Sequence, residues 1–161
     1  MTQPIFELSH EECVELLDTE VVGRVAVHTR LGTRIVPVNY SVVDDTIVWR
    51  ITPNSELATH GPGVEGVFEV DHVDHDLRQG WSVIAYGVLE FVDDLQEVLS
   101  IRDADDPAPW AAGLRPMYMR LPYKELTGRR LGDAGRCAGV VRSGRGARRG
   151  EASAVRRTLR T

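Results

Sequence analysis

The sequence is poor in the features that define disulfide-rich and membrane-spanning proteins. Its only cysteines are Cys13 and Cys137, and their spacing fits neither a CxxC pair nor a set of metal ligands. A disulfide framework is therefore not expected, and a cytoplasmic location is the default prediction. No run of about 18 apolar residues is present, so no membrane span is expected. The N-terminus has no basic region followed by an apolar stretch, which argues against a secretory signal.

The common catalytic motifs are also missing. The sequence contains no G-x-S-x-G turn, no P-loop and no G-x-G-x-x-G fingerprint. Residues 71–76, DHVDHD, place His72 and His75 three positions apart among carboxylates. The segment is predicted to be a loop, however, and a loop does not fix ligand geometry as a helix would. A solvated acidic loop is favoured over a metal site, and no metal is predicted.

Charge is distributed unevenly along the chain. The net charge is −5, yet the residues from Arg129 to the end include ten arginines and only two acids. The first 128 residues carry 9 basic and 22 acidic side chains, a balance that repels nucleic acid and anionic membranes. Residues 133–161 are rich in Gly, Ala, Ser and Arg, which predicts a disordered tail after a domain spanning residues 1–132. Nucleic-acid binding by that tail is the weaker hypothesis.

The chain is rich in β-strand patterns. Six strands are predicted, at residues 21–28, 34–43, 46–51, 64–70, 81–92 and 117–121, with a short closing segment at 124–131. Residues 71–80 and 103–116 are predicted as loops. Gly23 is predicted to mark a bulge or a close approach of another group. Strands that outnumber helices and are joined by hairpin-length loops indicate an antiparallel barrel with peripheral helices.

Three short helices are predicted from their caps. Ser9 and Glu12 can form a capping box, and residues 52–55, TPNS, are a turn and cap for a helix that Gly61 ends. Asp93-Asp94 can cap a third helix over residues 95–102.

The stretch from residue 33 to residue 60 organises the chain. Two strands joined by Asp44-Asp45 are typical of an antiparallel hairpin. Arg50 lies where the second strand ends and Ser55 where a helix begins, an arrangement suited to phosphate. Arg34 and Arg50 are explained equally well as exposed strand residues. Trp49 and Trp81 lie at strand ends, where they could stack on a planar ligand, although core packing is commoner.

Four runs of sequence resemble the pyridoxamine 5′-phosphate oxidase-like family. They are RIVPVNY at 34–40, VWRITPNSELA at 48–58, GWSVIAYG at 80–87 and TGRR at 127–130. Over residues 8–131 the chain is most similar to the small actinobacterial branch of flavin-binding split-barrel proteins. The resemblance implies a six-stranded antiparallel split β-barrel, a homodimer, a small-molecule substrate, and FMN or a related flavin bound between subunits.

The resemblance also implies a set of cofactor-binding positions. They are Arg34, Val36, Pro37, Val38, Asn39, Trp49, Arg50, Ser55, Glu56, Trp81 and Ser82. Arg34 matches a phosphate-binding arginine, and the backbone of residues 36–38 would face the isoalloxazine ring. Trp49 and Arg50 match a pair near the ribityl phosphate, and Ser55 and Glu56 match phosphate-binding positions. Ser82 would reach across the dimer.

Two positions depart from the family pattern, which often has lysine where this chain has Asn39 and Glu56. A carboxylate beside a phosphate costs on the order of a few kcal/mol at an effective dielectric near ~20. Glu56 in place of the family's lysine is therefore expected to weaken FMN binding by roughly a hundredfold or more. The predicted function is an FMN-dependent oxidoreductase of unknown substrate and catalytic residues. The alternative is a non-enzymatic module or one that binds F420 or haem.

Overall fold

Eight strands and three short helices make up residues 3–132, the part of the chain that the computed structural model describes. The strands are β1 (Ile5–Glu7), β2 (Val22–Thr29), β3 (Gly32–Val43), β4 (Thr46–Ile51), β5 (Glu65–Asp74), β6 (Gln79–Val88), β7 (Glu90–Phe91) and β8 (Met117–Leu131). The helices are α1 (His10–Leu17), α2 (Glu56–His60) and α3 (Leu95–Asp105). The predicted tail at 133–161, with Cys137, lies outside the described residues.

Six long strands close into an antiparallel ring in the order β8–β4–β3–β2–β5–β6. The ring closes because β8 pairs with β4 over residues 117–122 and with β6 over residues 123–131. The predicted mainly β barrel of six strands is therefore confirmed, and β1 and β7 are short additions along β8. The separate segments predicted at 117–121 and 124–131 are wrong, because they form one strand that changes partner after Pro122.

The loop predicted at residues 71–80 is also wrong. Strand β5 continues to Asp74 and β6 begins at Gln79, so only four residues separate the two strands. The polar side chains that suggested a loop have partners. Asp71 receives a hydrogen bond from Arg24 at 2.7 Å, and His72 lies 3.0 Å from a Glu20 carboxylate oxygen.

Two further boundaries differ from prediction. The strand expected at 81–92 is interrupted at Leu89, whose side chain is fully buried. Leu89 packs closely on Gly66, because a Cβ added at Gly66 would lie 2.7 Å from the Leu89 side chain. Helix α3 extends to Asp105 rather than to residue 102. Its predicted cap is confirmed, since Asp94 accepts a hydrogen bond from the Glu97 N–H at 2.9 Å.

Other local predictions are confirmed. Ser9 and Glu12 form the capping box of α1, and Asp44 and Asp45 both have positive φ, which a tight hairpin turn requires. Gly23 is a point of close approach, because a Cβ there would lie 2.1 Å from the Phe68 ring. None of the helices within residues 3–132 is long and apolar enough to cross a membrane.

The barrel interior holds the main hydrophobic core. Five of the six ring strands contribute fully buried side chains: Val25, Val27, Ile47, Trp49, Phe68, Val70, Val83, Ala85, Met119 and Leu121. Cys13 and Leu17 of α1 and Leu89 complete the fully buried set. A second, smaller core lies on the outer face of β4 and β8, where Ile101 of α3 packs with Val48 and Tyr118. Strand β3 contributes to both cores, because Val38 and Tyr40 are buried in the main core and Val43 packs against the second one.

Candidate functional site

The first half of β3 has one free backbone edge. The strand pairs with β2 over residues 32–39, but it pairs with β4 only over residues 40–43. Among residues 3–132, no strand pairs with the β4-facing edge of residues 32–39. The Tyr40 N–H donates to Val21 O on the β2 side at 3.2 Å. Because backbone direction alternates along a strand, the free edge carries the groups of Ile35, Pro37 and Asn39.

This free edge, residues 35–39, is suited to a planar heterocycle. It offers two N–H donors, from Ile35 and Asn39, and three carbonyl acceptors. Pro37 has no N–H, which is tolerated only where no partner strand needs one. The side chains of Val36 and Val38 pack with the barrel core. The interaction that these two predicted residues can offer a polar ligand is therefore limited to their backbone.

At its beginning, β3 brings Arg34 to helix α2. The Arg34 Nε lies 4.0 Å from a Glu56 carboxylate oxygen, and that oxygen lies 3.7 Å from His60 Nε2. Arg34 is 39% exposed and Glu56 is 54% exposed, so solvent screens the ion pair. Arg34 and Glu56, which the family resemblance assigned to phosphate-binding positions, therefore lie close together, and His60 lies beside Glu56.

Ser55 positions the start of α2. Its Oγ accepts a hydrogen bond from the Ala58 N–H at 3.1 Å. Leu57 in the same turn is 1% exposed and packs in the hydrophobic core. A serine hydroxyl that accepts one hydrogen bond still has its own proton to donate. Ser55 can therefore cap the helix and contact an anionic ligand at the same time.

The Arg50 side chain is directed away from Arg34 and Ser55. Its neighbours Trp49 and Ile51 lie in the barrel core, so strand alternation places Arg50 on the outer face of β4. Arg50 Nε donates to Arg115 O at 2.9 Å, and Nη1 lies 3.4 Å from an Asp106 carboxylate oxygen. Its guanidinium therefore contacts the connection between α3 and β8, and its predicted phosphate contact stays a prediction.

Tyr118 completes the contacts around Arg50. Its hydroxyl donates to Asp106 at 2.7 Å and accepts from Arg102 Nε at 3.0 Å, and the Arg50 guanidinium lies 5.3 Å from its ring centroid. Burial raises the pKa of the Tyr118 phenol above its ordinary value. The phenol therefore stays protonated at neutral pH and remains a donor to Asp106.

The predicted tryptophans are core residues. Trp49 is fully buried and Trp81 is 4% exposed, so Trp49 has no exposed ring surface to offer a ligand. Trp81 stacks on His72, with the ring centroids 6.3 Å apart. The neighbouring Ser82 lies on β6, which β2 and β5 separate from β3 in the ring. One copy of the chain does not bring Ser82 to Arg34.

Ser82 instead lies on the outer face of β5, β6 and β8. Clefts of about 420, 610 and 600 Å³ border this outer sheet face, and the second extends to His28 of β2 and Thr33 of β3. Ser82 and Arg129 line the first and third, and Tyr86 lines the second and third. No group of three or more His, Cys, Asp or Glu side chains in residues 3–132 is arranged to hold a metal ion.

Sequence reasoning missed the residues of the connection between α3 and β8. The Asn39 side chain accepts a hydrogen bond from the Trp110 N–H at 2.8 Å and donates to Val21 O at 3.3 Å. Residues 103–116 contain three prolines and no regular hydrophobic period, so no sequence signal placed Trp110 or Asp106 beside β3 and β4.

The six-stranded ring with one half-unpaired strand defines a split-barrel protein. A sequence model of the pyridoxamine 5′-phosphate oxidase family matches residues 9–130. The chain therefore belongs to that family, as its four sequence runs suggested.

Individual relatives agree with this assignment. An FAD-binding protein of Mycobacterium smegmatis is 29% identical with a TM-score of 0.65, over 81% of this chain and 98% of that one. A candidate pyridoxamine 5′-phosphate oxidase of Corynebacterium glutamicum is 28% identical with a TM-score of 0.70, over 81% of this chain and all of the other. An uncharacterised protein of Mycobacterium tuberculosis is 32% identical over 99 residues, 58% of this chain, and the match spans 65% of that relative's length.

We predict that Tyr118→Phe destabilises the fold by about 1–2 kcal/mol, because Asp106 loses a short hydrogen bond in a half-buried setting. The matched control is Tyr123→Phe, which removes an exposed 3.3 Å bond to Asp45 and is expected to cost less. The two free energies of unfolding are measured in urea. Equal losses would contradict the role assigned to the Tyr118 hydroxyl.

Proposed function

We propose that this protein is a flavin-dependent oxidoreductase that binds FMN along the free edge of β3. It would work as a homodimer on a small-molecule substrate in the cytoplasm. The observation that carries the proposal is the unpaired backbone at residues 35–39, which begins beside Arg34 in a chain of this family. A flavin supplies hydride and electron transfer at its ring, so the protein's part is to hold and orient that ring.

The ring end of the site consists of backbone groups. The N–H groups of Ile35 and Asn39 can donate to acceptors on the isoalloxazine, and the carbonyl of Pro37 can accept from its imide N–H. Because these groups belong to a strand fixed on its other side by β2, they need no rearrangement to bind. Such preorganisation lowers the cost of binding.

The phosphate end of the site consists of Arg34 and the hydroxyl of Ser55. An arginine fork and a hydroxyl donor suit a phosphate dianion. Glu56 opposes them, because its carboxylate lies 4.0 Å from Arg34 and a phosphate must compete with it for the guanidinium. FMN affinity is therefore expected to be lower than it would be with a neutral residue at position 56.

The proposed dimer would use the outer sheet face. Three clefts border that face, and Tyr86, which lines two of them, is 38% exposed. Ser82 on this face is separated from Arg34 within one copy, so it can complete the flavin site only from a second copy. Two-fold symmetry would then form two equal sites.

A second candidate function is a binding module without enzymatic activity, or one that takes F420 or haem. The ion pair of Glu56 with Arg34 favours it, because an internal carboxylate already compensates the cation that would hold the FMN phosphate. The chain would then keep the free strand edge for a different planar ligand.

An absorption spectrum of the purified protein, before and after addition of FMN, F420 or haemin, tests the two functions. We expect flavin bands that stay with the protein through gel filtration. A Soret band, a deazaflavin band alone, or no uptake of any of the three would overturn the FMN proposal and favour the second candidate.

We predict that Arg34→Ala weakens FMN binding ten- to a hundredfold, the equivalent of about 1.5–3 kcal/mol for a charged hydrogen bond. Glu56→Gln should tighten FMN binding several-fold, because it removes the competing carboxylate. Both affinities are measured by titrating flavin fluorescence. Riboflavin, which has no phosphate, is the control ligand, and its affinity should not change in either variant. Equal effects on both ligands would argue against this phosphate site.

For the dimer, we predict that Tyr86→Glu converts the protein to a monomer in sedimentation velocity runs. The substitution places a charge on a face that the partner would bury. Leu95→Glu is the control, since Leu95 is 67% exposed on α3 and outside the outer sheet face. A dimer that survives Tyr86→Glu, or is lost equally in both variants, would show that another surface is used.

A further inference from the structure

We infer that Trp110 stacks on the flavin ring at the free edge of β3. In this inference the α3–β8 segment, residues 106–116, is a fixed wall of the ring site rather than a simple connection. The inference rests on the proposed function and adds a ring-contacting residue and a reason for Asn39. Within this segment the backbone is held by hydrogen bonds to Arg50 and Asn39, whereas the side chains of Trp110 and Leu114 are exposed.

The segment is anchored at both ends by Arg50. Arg50 Nε donates to Arg115 O at 2.9 Å, and its Nη1 lies 3.4 Å from Asp106. Asp106 also receives the 2.7 Å hydrogen bond from Tyr118. Between these ends, Arg115 Nη1 donates to the carbonyl of Ala111 at 2.8 Å. These bonds hold the segment against the outer face of β4 and β8.

The middle of the segment is attached to the proposed ring site. The Trp110 N–H donates to the Asn39 side chain at 2.8 Å. Asn39 is also the last residue whose backbone faces the free edge, so Trp110 is held next to that edge. The Asn39 amide is fixed in turn by its hydrogen bond to Val21 O at 3.3 Å. A lysine at position 39 could not accept the Trp110 N–H, because an ammonium has donors only.

The indole has no protein surface that covers it. Trp110 is 74% exposed, although its backbone N–H is hydrogen-bonded to Asn39. A large aromatic side chain that is positioned by its backbone but left uncovered is suited to a ligand with its own flat face. The free edge binds the rim of a ring and leaves its faces open, so Trp110 supplies the contact that the edge cannot.

The test compares riboflavin with FMN in Trp110→Ala, Trp110→Phe and Leu114→Ala. Stacking on an indole is expected to contribute roughly three- to tenfold in affinity, and it acts on the ring that both ligands share. Trp110→Ala should therefore weaken both ligands by the same factor, whereas Trp110→Phe should recover most of the loss. Leu114 is 89% exposed in the same segment, and Leu114→Ala should change neither affinity.

Flavin emission gives a second readout that a structural role would not move. An indole stacked on isoalloxazine quenches its fluorescence by electron transfer, which phenylalanine does not do. Bound riboflavin should be several-fold brighter in Trp110→Phe than in the wild type, at similar affinity. Asn39→Ala should reproduce the affinity loss of Trp110→Ala, and the double variant should lose little more than either single variant.

The outcomes separate this inference from the proposed function. Wild-type protein that binds flavin, with Trp110→Ala indistinguishable from Leu114→Ala, overturns the stacking role and leaves the flavin site standing. Wild-type protein that binds neither ligand overturns both. Arg50→Ala is informative as well: equal losses of riboflavin and FMN would support its role in holding the segment, and loss of FMN alone would assign it to the phosphate.

Discussion

The structure depends on one constraint: the backbone N–H and C=O groups of a buried strand edge need hydrogen-bond partners. The barrel has only six long strands to provide them. Pairing between β3 and β4 ends early, at Tyr40 and Trp49, whereas β4 continues to Ile51 paired only with β8. The backbone before Tyr40 is left without a strand, and its N–H and C=O groups become available to a ligand. Most features of the site follow from this early ending: the tolerated Pro37, the neighbouring turn into α2, and the segment held across β4 by Arg50.

Much of the fold could be predicted because local chemistry and global packing agree over most of the chain. The capping box at Ser9, the Asp44-Asp45 turn and the tight approach at Gly23 each have a local signal that the structure keeps. The failures occur where polar side chains find partners across the sheet. Asp71 and His72 resemble loop residues in sequence because their partners, Arg24 and Glu20, are about fifty positions away.

The site could be predicted only in part, for a related reason. Arg34 and Glu56 are separated in the sequence by a hairpin, and only the family resemblance assigned both of them to one phosphate site. Strand alternation places Arg50 on the outer face of β4, but no signal in the sequence indicated that its partners there are Asp106 and Arg115. Asn39 departs from the family's lysine, and the structure supplies a physical reason, since its amide accepts the backbone N–H of Trp110.

The path of β8 has a consequence for how the protein is made. The strand that closes the ring is the last one within residues 3–132, and it pairs with β4 and β6 at once. During synthesis, the edges of both strands stay unpaired until residues 117–131 have left the ribosome. Unpaired edges are templates for association with other chains, and closure over such sequence distances is slow. The nascent chain is therefore most vulnerable to aggregation just before β8 emerges.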